Sequence, residues 1–297
     1  MRTTDQTTNT LPAPSRTASA KQLADPHVVD VLISERGKQV MASPWWPFIK
    51  PAAYKILRYR SAVRMADTIS QMEALDVFAH LSDLLQLDVT TLGLDRVPTE
   101  GPVVLVSNHP TGIADGVVLY DAIKPRRSDL AIFANRDAIR INPRLADMII
   151  PVEWRNDFKS REKSKETLKI ASSAFAQERV VVLFPSGRLA HWHEGKLTER
   201  PWMTSALALA RKNKAPIIPM HMGGRNSGMF YFLARVSTEL RDMTVFNELL
   251  NKKSAEFRVH FGKPIRPERL RGDLTELTEQ MRVHCAETLA SDPNAEF

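Results

Sequence analysis

A histidine and an aspartate with five residues between them are the chain's first candidates for chemistry, in the run Asn108-His109-Pro110-Thr111-Gly112-Ile113-Ala114-Asp115-Gly116. The run follows a short apolar stretch at 103–106 and precedes a helix-like stretch at 117–123. The histidine therefore sits in a strand-to-helix turn, and the aspartate follows within about one turn. This places a carboxylate where it can reach one imidazole nitrogen. Such a pair is a general base: the carboxylate fixes the tautomer and stabilises the imidazolium, and the other ring nitrogen takes a proton from a hydroxyl. The plainer alternative is a lone turn histidine followed by an unrelated aspartate at a helix start.

Other segments place polar groups at the ends of apolar runs. Phe184-Pro185-Ser186-Gly187-Arg188 follows the strongest such run, at 180–183. A glycine turn there turns backbone N–H groups toward the carboxyl edge of a sheet, where ligands bind. Arg188 can offer a two-pronged donor to a phosphate, sulfonate or carboxylate. Gly223-Gly224-Arg225-Asn226-Ser227 is a second turn that suits an anion. Arg155 ends the run that starts at Ile149 and opens a charged stretch. His191 and His193 alternate across Trp192, but no third ligand stands at metal spacing. They read as loop histidines, and no metal is expected.

The elements that must position these residues alternate. Strand-like runs fall at 87–92, 103–107, 130–133, 149–152, 180–184, 217–222 and 257–261, and helical patterns separate several of them. Short, uniformly apolar strands argue an α/β sheet covered on both faces. N-terminal to them, residues 26–41 read as one helix, broken by Pro44-Trp45-Trp46-Pro47-Phe48. Residues 54–65 read as an interfacial helix, with Ile56, Tyr59, Val63 and Ala66 on one face and Lys55, Arg58, Arg60 and Arg64 flanking it. A stripe packed on the sheet domain is the alternative use of that face. A longer helix is expected over 67–87, and a polar amphipathic one over 272–290.

Composition sets bounds. The 297 residues are 43% apolar and 25% charged, as in a globular protein with a sizeable core. One cysteine, Cys285, excludes an intrachain disulfide and fits a reducing compartment. No apolar run is long enough for a transmembrane helix. The Thr-, Ser- and Pro-rich start reads as a disordered tail. The net charge of +7, with a pI near 9.6, suits an anionic membrane or a nucleic acid. No zinc, RNA-binding or helix-turn-helix signature is present, and basic residues interleave with apolar ones near the N-terminus. An anionic membrane surface is therefore the expected partner, and nucleic acid is not.

Over roughly residues 87–267 the chain resembles the PlsC-type glycerolipid and lysophospholipid acyltransferase superfamily. Asn108-His109 with Asp115 resembles its first block, which has four residues between His and Asp where this chain has five. Gly112 can absorb the extra residue. Ile149-Ile150-Pro151-Val152-Glu153-Trp154-Arg155 is similar to the second block, whose Arg holds the acceptor's head. Residues 184–188 resemble Phe-Pro-Glu-Gly-Thr-Arg, with Ser186 in place of the Glu and one residue fewer before the Arg. Residues 215–221 are similar to the fourth block. The five-residue spacing, Ser186 and the Gly-Arg-Asn-Ser segment resemble the hemolysin-like and ornithine-lipid branch.

The resemblance implies an α/β fold, a mixed sheet covered by helices, with an N-terminal membrane-docking segment. The expected division is a tail at 1–25, helical and interfacial residues at 26–86, and the acyltransferase domain at 87–297. The implied reaction moves an acyl chain from an acyl thioester, on CoA or on an acyl carrier protein, to the hydroxyl of a lysolipid acceptor. His109 and Asp115 are the expected catalytic pair. Asn108, Arg155, Ser186, Gly187, Arg188 and Arg225 are the expected substrate-binding residues, and backbone N–H groups near Gly187 the oxyanion donors. No cofactor is implied. A lyso-aminolipid is the preferred acceptor, because loss of the Glu argues against 1-acyl-glycerol 3-phosphate, the alternative. A membrane-bound scaffold without turnover is the reading from another class. The expected location is peripheral, on the cytoplasmic face of the inner membrane.

Overall fold

Strands without a polar face need cover on both sides. The computed structural model, which describes residues 25–153 and 158–297, shows how they obtain it. Strands β1 (Asp88–Leu92), β2 (Val103–Ser107), β3 (Leu130–Asn135), β4 (Ile149–Val152) and β5 (Val180–Leu183) join a seven-stranded mixed sheet. A separate hairpin pairs β6 (His191–His193) with β7 (Lys196–Thr198), and β8 (Ile217–Met222) and β9 (Glu256–Phe261) complete the main sheet. The order is β1-β9-β8-β2-β5-β3-β4, parallel at every pairing except β8 with β9. This is the mixed, helix-covered sheet expected from the sequence.

Helices α1 (Val28–Arg36), α2 (Lys38–Ala42), α3 (Trp46–Ile56), α4 (Tyr59–Ile69) and α5 (Ala74–Leu85) precede the sheet. Within it come α6 (Ile113–Ile123), α7 (Asp137–Ile141), α8 (Arg161–Ala176), α9 (Ser205–Asn213), α10 (Gly228–Val236), α11 (Thr238–Met243) and α12 (Val245–Leu250). After it come α13 (Leu274–Val283) and α14 (Leu289–Ser291). Side chains alternate across a strand. Accordingly Val103 and Leu105 pack in one core with Leu32, Ala66, Leu81 and Val118. Val104 and Val106 pack in the other with Phe175, Leu207 and Met281. The N-terminal helices thus share a core with one face of the sheet.

Three N-terminal expectations change. The helix expected over 26–41 breaks at Gly37, whose φ −122° and ψ +40° are not helical and where Met243 packs so closely that a Cβ would lie 2.3 Å from its Sδ. The helix expected over 67–87 breaks after Ile69, where the Asn142 amide donates to the Ile69 and Met72 carbonyls at 2.7 and 2.8 Å. The helix expected over 54–65 is split at Leu57 and Arg58, the latter at φ +52°. Its stripe turns inward: Ala62, Met65, Ala66 and Ile69 of α4 are buried, while Tyr59 and Val63 pack against the core. The exposed apolar residues lie on and before α3 instead: Trp45, Phe48, Ile49 and Ile56. The polar helix expected over 272–290 is α13 followed by a π-helical turn at 284–288.

Candidate functional site

The site begins where β2 ends. Asn108 is buried, and its amide pairs with the Met222 backbone in both directions, donating to the carbonyl at 2.8 Å and accepting from the N–H at 2.7 Å. These bonds clamp the ends of β2 and β8 together, so the next turn starts at the middle of the sheet's carboxyl edge. The Asn108 side chain is spent on that clamp and is not turned toward a ligand. His109 follows. Its backbone N–H donates to Glu199 Oε1 at 2.9 Å, and its carbonyl accepts from Ala190 N at 3.0 Å. Its ring stacks on Phe184 with centroids 4.5 Å apart.

His109 Nδ1 lies 2.8 Å from Asp115 Oδ2. The extra residue has not broken the pair. Gly112 absorbs it at φ +91°, ψ −122°, a conformation open essentially to glycine, and α6 then starts at Ile113, four residues earlier than expected. Asp115 is fully buried in the first turn of α6. It accepts from Thr111 N at 2.9 Å and Gly112 N at 3.0 Å, and from the Thr111 hydroxyl. A carboxylate at a helix N-terminus is favoured by the orphan N–H groups and the helix dipole. The same side chain therefore caps the helix and orients the histidine. Because Nδ1–H points to Asp115, Nε2 carries the lone pair.

The His109 side chain is one-fifth exposed. The nearby hydroxyls are directed elsewhere: Ser107 to Asn108 Oδ1, Thr111 to Asp115, and Ser186 to the Arg188 carbonyl. Cys285 is fully buried with its thiol on the Val106 carbonyl, and burial pushes that thiol up. The pair can thus deprotonate a hydroxyl brought from outside, whereas none of these four side chains is set up as its nucleophile.

Glu199 was not anticipated. Its second oxygen accepts from the Trp202 indole at 3.1 Å. Burial pushes its carboxyl above the usual range, and the His109 N–H and the indole oppose that rise. Its signal in sequence is nothing more than an acidic residue after β7, with no period and no motif. Only the fold brings it ninety positions back to His109.

The turn at 184–188 differs from expectation. Gly187, at φ +58°, donates its N–H to the Phe184 carbonyl at 3.0 Å, and the Arg188 N–H faces Ser186 Oγ. These two amides close the turn and do not face a ligand as oxyanion donors. Ser186 is buried in the turn, and the Arg188 guanidinium is exposed beside it. Arg155 lies outside the described residues. His191 and His193 sit on strand β6, not in a loop.

The Gly223–Ser227 stretch docks on the turn that carries His109. Gly224, at φ +138°, leaves no room for a Cβ, which would lie 2.6 Å from Phe257 and 3.4 Å from Thr111 Cγ2. Asn226 is buried, with its amide oriented to donate to the Thr111 carbonyl and to Glu248, both at 3.2 Å. Glu248 also accepts from Ser227 N at 2.8 Å, Ser227 Oγ at 2.6 Å and Lys252 at 3.2 Å. Burial raises the Glu248 carboxyl, but these donors outweigh it and hold it below the usual range. Arg225 projects, exposed, from the loop so anchored. The structure thus gathers His109, Asp115, Ser186, Gly187, Arg188 and Arg225 on turns that follow β2, β5 and β8, at one edge of the sheet.

Comparison with known proteins gives four matches. The model of the family described as Acyltransferase matches residues 76–289. A lyso-glycine lipid O-acyltransferase of Bacteroides thetaiotaomicron is 27% identical over 189 residues, 62% of this chain and 68% of the relative. One of the same description from Phocaeicola vulgatus is 26% identical over 189 residues, 62% of this chain and 66% of that relative. The match therefore spans about two thirds of each relative's length. Among solved structures, the crystal structure of a 1-acyl-sn-glycerophosphate acyltransferase, PlsC, from Thermotoga maritima aligns with a TM-score of 0.48 at 15% identity, over 87% of this chain and 98% of that one.

Proposed function

The chain belongs to the acyltransferase family, whose model matches residues 76–289, and from that premise we propose that it acylates the hydroxyl of a single-chain aminolipid from an acyl thioester. The carrying observation is the buried Asp115 held 2.8 Å from His109 Nδ1, with the other ring nitrogen left to meet an incoming hydroxyl. His109 Nε2 takes the hydroxyl proton as the oxygen attacks the thioester carbonyl. The new C–O bond forms, the C–S bond breaks, and the imidazolium returns its proton to the departing thiolate. Asp115 stabilises the transient imidazolium. No acyl-enzyme is required. Retention of this pair and its supporting bonds argues against a scaffold without turnover.

The relatives' description supports an N-acylated amino acid as acceptor. So does the binding turn: Ser186 stands where glycerophosphate enzymes are expected to carry Glu, and the exposed Arg188 and Arg225 suit a singly charged carboxylate. Arg155 remains a proposed head-group residue on sequence grounds. Among the described residues no helix is long and apolar enough to cross a membrane. We place the contact with an anionic bilayer on α3, where Trp45, Phe48, Ile49 and Ile56 are exposed beside Lys50 and Lys55.

The reading is tested with the purified protein, an acyl-CoA or an acylated carrier protein, and two acceptors offered separately, an N-(3-hydroxyacyl)glycine and 1-acyl-glycerol 3-phosphate. The aminolipid is expected to turn over with kcat/KM at least ~10-fold higher, equivalent to about 1.4 kcal/mol in transition-state binding. A preference for the glycerophosphate would reverse the acceptor and leave acyl transfer standing.

A further inference from the structure

Beside the catalytic turn lies an open cleft of about 560 Å³, within the range of small-molecule sites. Its walls include Trp192 from the β6–β7 hairpin, Arg225 and Ser227 from the anchored loop, and Tyr231, Phe232 and Arg235 from α10. Three observations set it apart from ordinary surface. First, two arginines converge on it, and among the described residues neither is ion-paired with a carboxylate. Like charges that share a concave wall repel until an anion joins them. Second, large apolar side chains are left in water at the same place. Phe232 is 65% exposed, and Val236 one helical turn on is 63% exposed, while Phe230 on the other side of α10 is buried. Trp192 stands edge-on to Tyr231 with centroids 5.8 Å apart.

Third, the cleft is tied to the reacting groups. The Asn226 N–H donates to the Tyr231 hydroxyl at 3.1 Å, while the Asn226 amide reaches the Thr111 carbonyl. A molecule seated here touches the loop that packs on the histidine turn.

We propose that this cleft is the acceptor's entry site, in which Arg225 and Arg235 hold the anionic head of a single-chain amphiphile while Trp192 and Phe232 line the start of its chain. The proposal rests on the acyl-transfer reading and adds to it the residues that select the acceptor. Guanidinium groups match a carboxylate in shape as well as charge, and aromatic faces cover an alkyl chain at low entropic cost. In an N-(3-hydroxyacyl) amino acid, the hydroxyl lies a few bonds from the carboxylate. A head fixed beside Arg225 is held by the loop whose Asn226 amide reaches the Thr111 carbonyl, two residues from His109. Neither Arg235 nor the hairpin tryptophan belongs to any motif of the sequence.

The test is equilibrium binding, which needs no turnover. N-dodecanoylglycine lacks the reactive hydroxyl, and titration calorimetry below its micelle concentration reads its affinity. N-dodecanoylglycinamide supplies the chain without the charge, and N-acetylglycine the charge without the chain. Wild-type protein is expected to bind the carboxylate at least ~10-fold more tightly than the amide, and N-acetylglycine not measurably. The Arg225→Gln, Arg235→Gln double variant should lose that preference and bind both long-chain compounds equally. Trp192→Leu should weaken both alike, and His109→Ala should bind as wild type does. Equal affinity of wild type for carboxylate and amide, or an unchanged preference in the double variant, would overturn the site. Arginine-dependent binding in a protein that acylates no hydroxylated lipid would overturn the acyl-transfer reading and leave the site. Acyl transfer untouched by the double variant would do the reverse.

Discussion

Replacing Asp115 by Asn removes one charge and one acceptor while keeping the shape, and the structure dictates which way the new amide must turn. The carboxylate accepts from Thr111 N, Gly112 N, the Thr111 hydroxyl and His109 Nδ1. An amide has one acceptor oxygen. Three of the four donors, His109 Nδ1, Thr111 N and Gly112 N, converge on the same oxygen, Oδ2, while the Thr111 hydroxyl meets Oδ1. An NH2 group at the Oδ2 position would face two backbone donors inside a fully buried pocket, and each donor left unsatisfied costs about 1–3 kcal/mol. With the amide oxygen at that position, all three N–H groups keep their acceptor and the NH2 donates to the Thr111 hydroxyl. The second orientation wins, so the ring keeps its proton on Nδ1, but the imidazolium formed when Nε2 takes the hydroxyl proton faces a neutral amide. A positioned general base supplies ~10²–10⁴-fold in rate, and kcat for Asp115→Asn should fall by ~10²-fold, the low end of that range, with KM for the acyl donor little changed. Steady-state acyl transfer measures the loss, and nitrogen-15 NMR of the histidine ring reports the tautomer. A variant that retains wild-type kcat would refute the role of Asp115 in the base.

Three further outcomes are expected. Glu199→Gln leaves one oxygen for two donors, His109 N and the Trp202 indole, so kcat should drop about 10-fold while acceptor KM stays within a factor of about two, the mark of a positioning residue. Trp45→Ser with Phe48→Ser and Ile49→Ser should reduce binding to anionic vesicles by ~10-fold or more in a sedimentation assay with thermal stability unchanged, since all three side chains are exposed; undiminished binding would remove α3 from the membrane contact. Burial pushes the Asp137 carboxyl up, but Arg36 at 2.6 Å and Arg140 at 3.1 Å outweigh it and hold it below the usual range. A depressed folded value means the unfolded chain binds more protons in acid, so this pair's stabilisation is full above the usual carboxylate range and is lost as pH falls through the folded value. Asp137→Asn should therefore cost about 3 kcal/mol in urea unfolding at pH 7 and flatten the wild-type decline in stability below about pH 4. An unflattened decline would locate the acid sensitivity elsewhere.

The strands and the His109–Asp115 pair were legible because their signals are local. Apolar runs bounded by turn residues announce buried strands, and β2, β4 and β8 fall where those runs predict. His109, Gly112 and Asp115 lie within seven positions, so spacing alone brings them together. What stayed hidden depends on distant partners. Nothing near Gly37 says that Met243 will press against it, and nothing near Ile69 says that Asn142 will take up its carbonyl. The stripe on α4 has the same period whether it meets lipid or protein; packing against α1 and α12 decided for protein. Helix α10 has no period in the sequence, because Gly228 and a short apolar stretch give none, and its cap depends on Ser227 held by Glu248 from α12. Glu199 and Arg235 belong to the same class: the groups they lie beside come from other elements at the sheet's carboxyl edge. The Asn108 amide was legible as part of a motif, but its role as a clamp on Met222 appears only once β2 and β8 are neighbours.

In the proposed reaction a proton leaves a lipid hydroxyl for His109. The direct measurement is the mass of the lipid formed when wild type and His109→Ala are each given an acyl thioester and an N-(3-hydroxyacyl)glycine. Wild type should yield the O-acylated lipid, heavier by one acyl chain, with one thiol released per ester formed. His109→Ala, folded as judged by circular dichroism, should yield it at least ~10²-fold more slowly. Ester formation by His109→Ala at the wild-type rate would contradict the central claim.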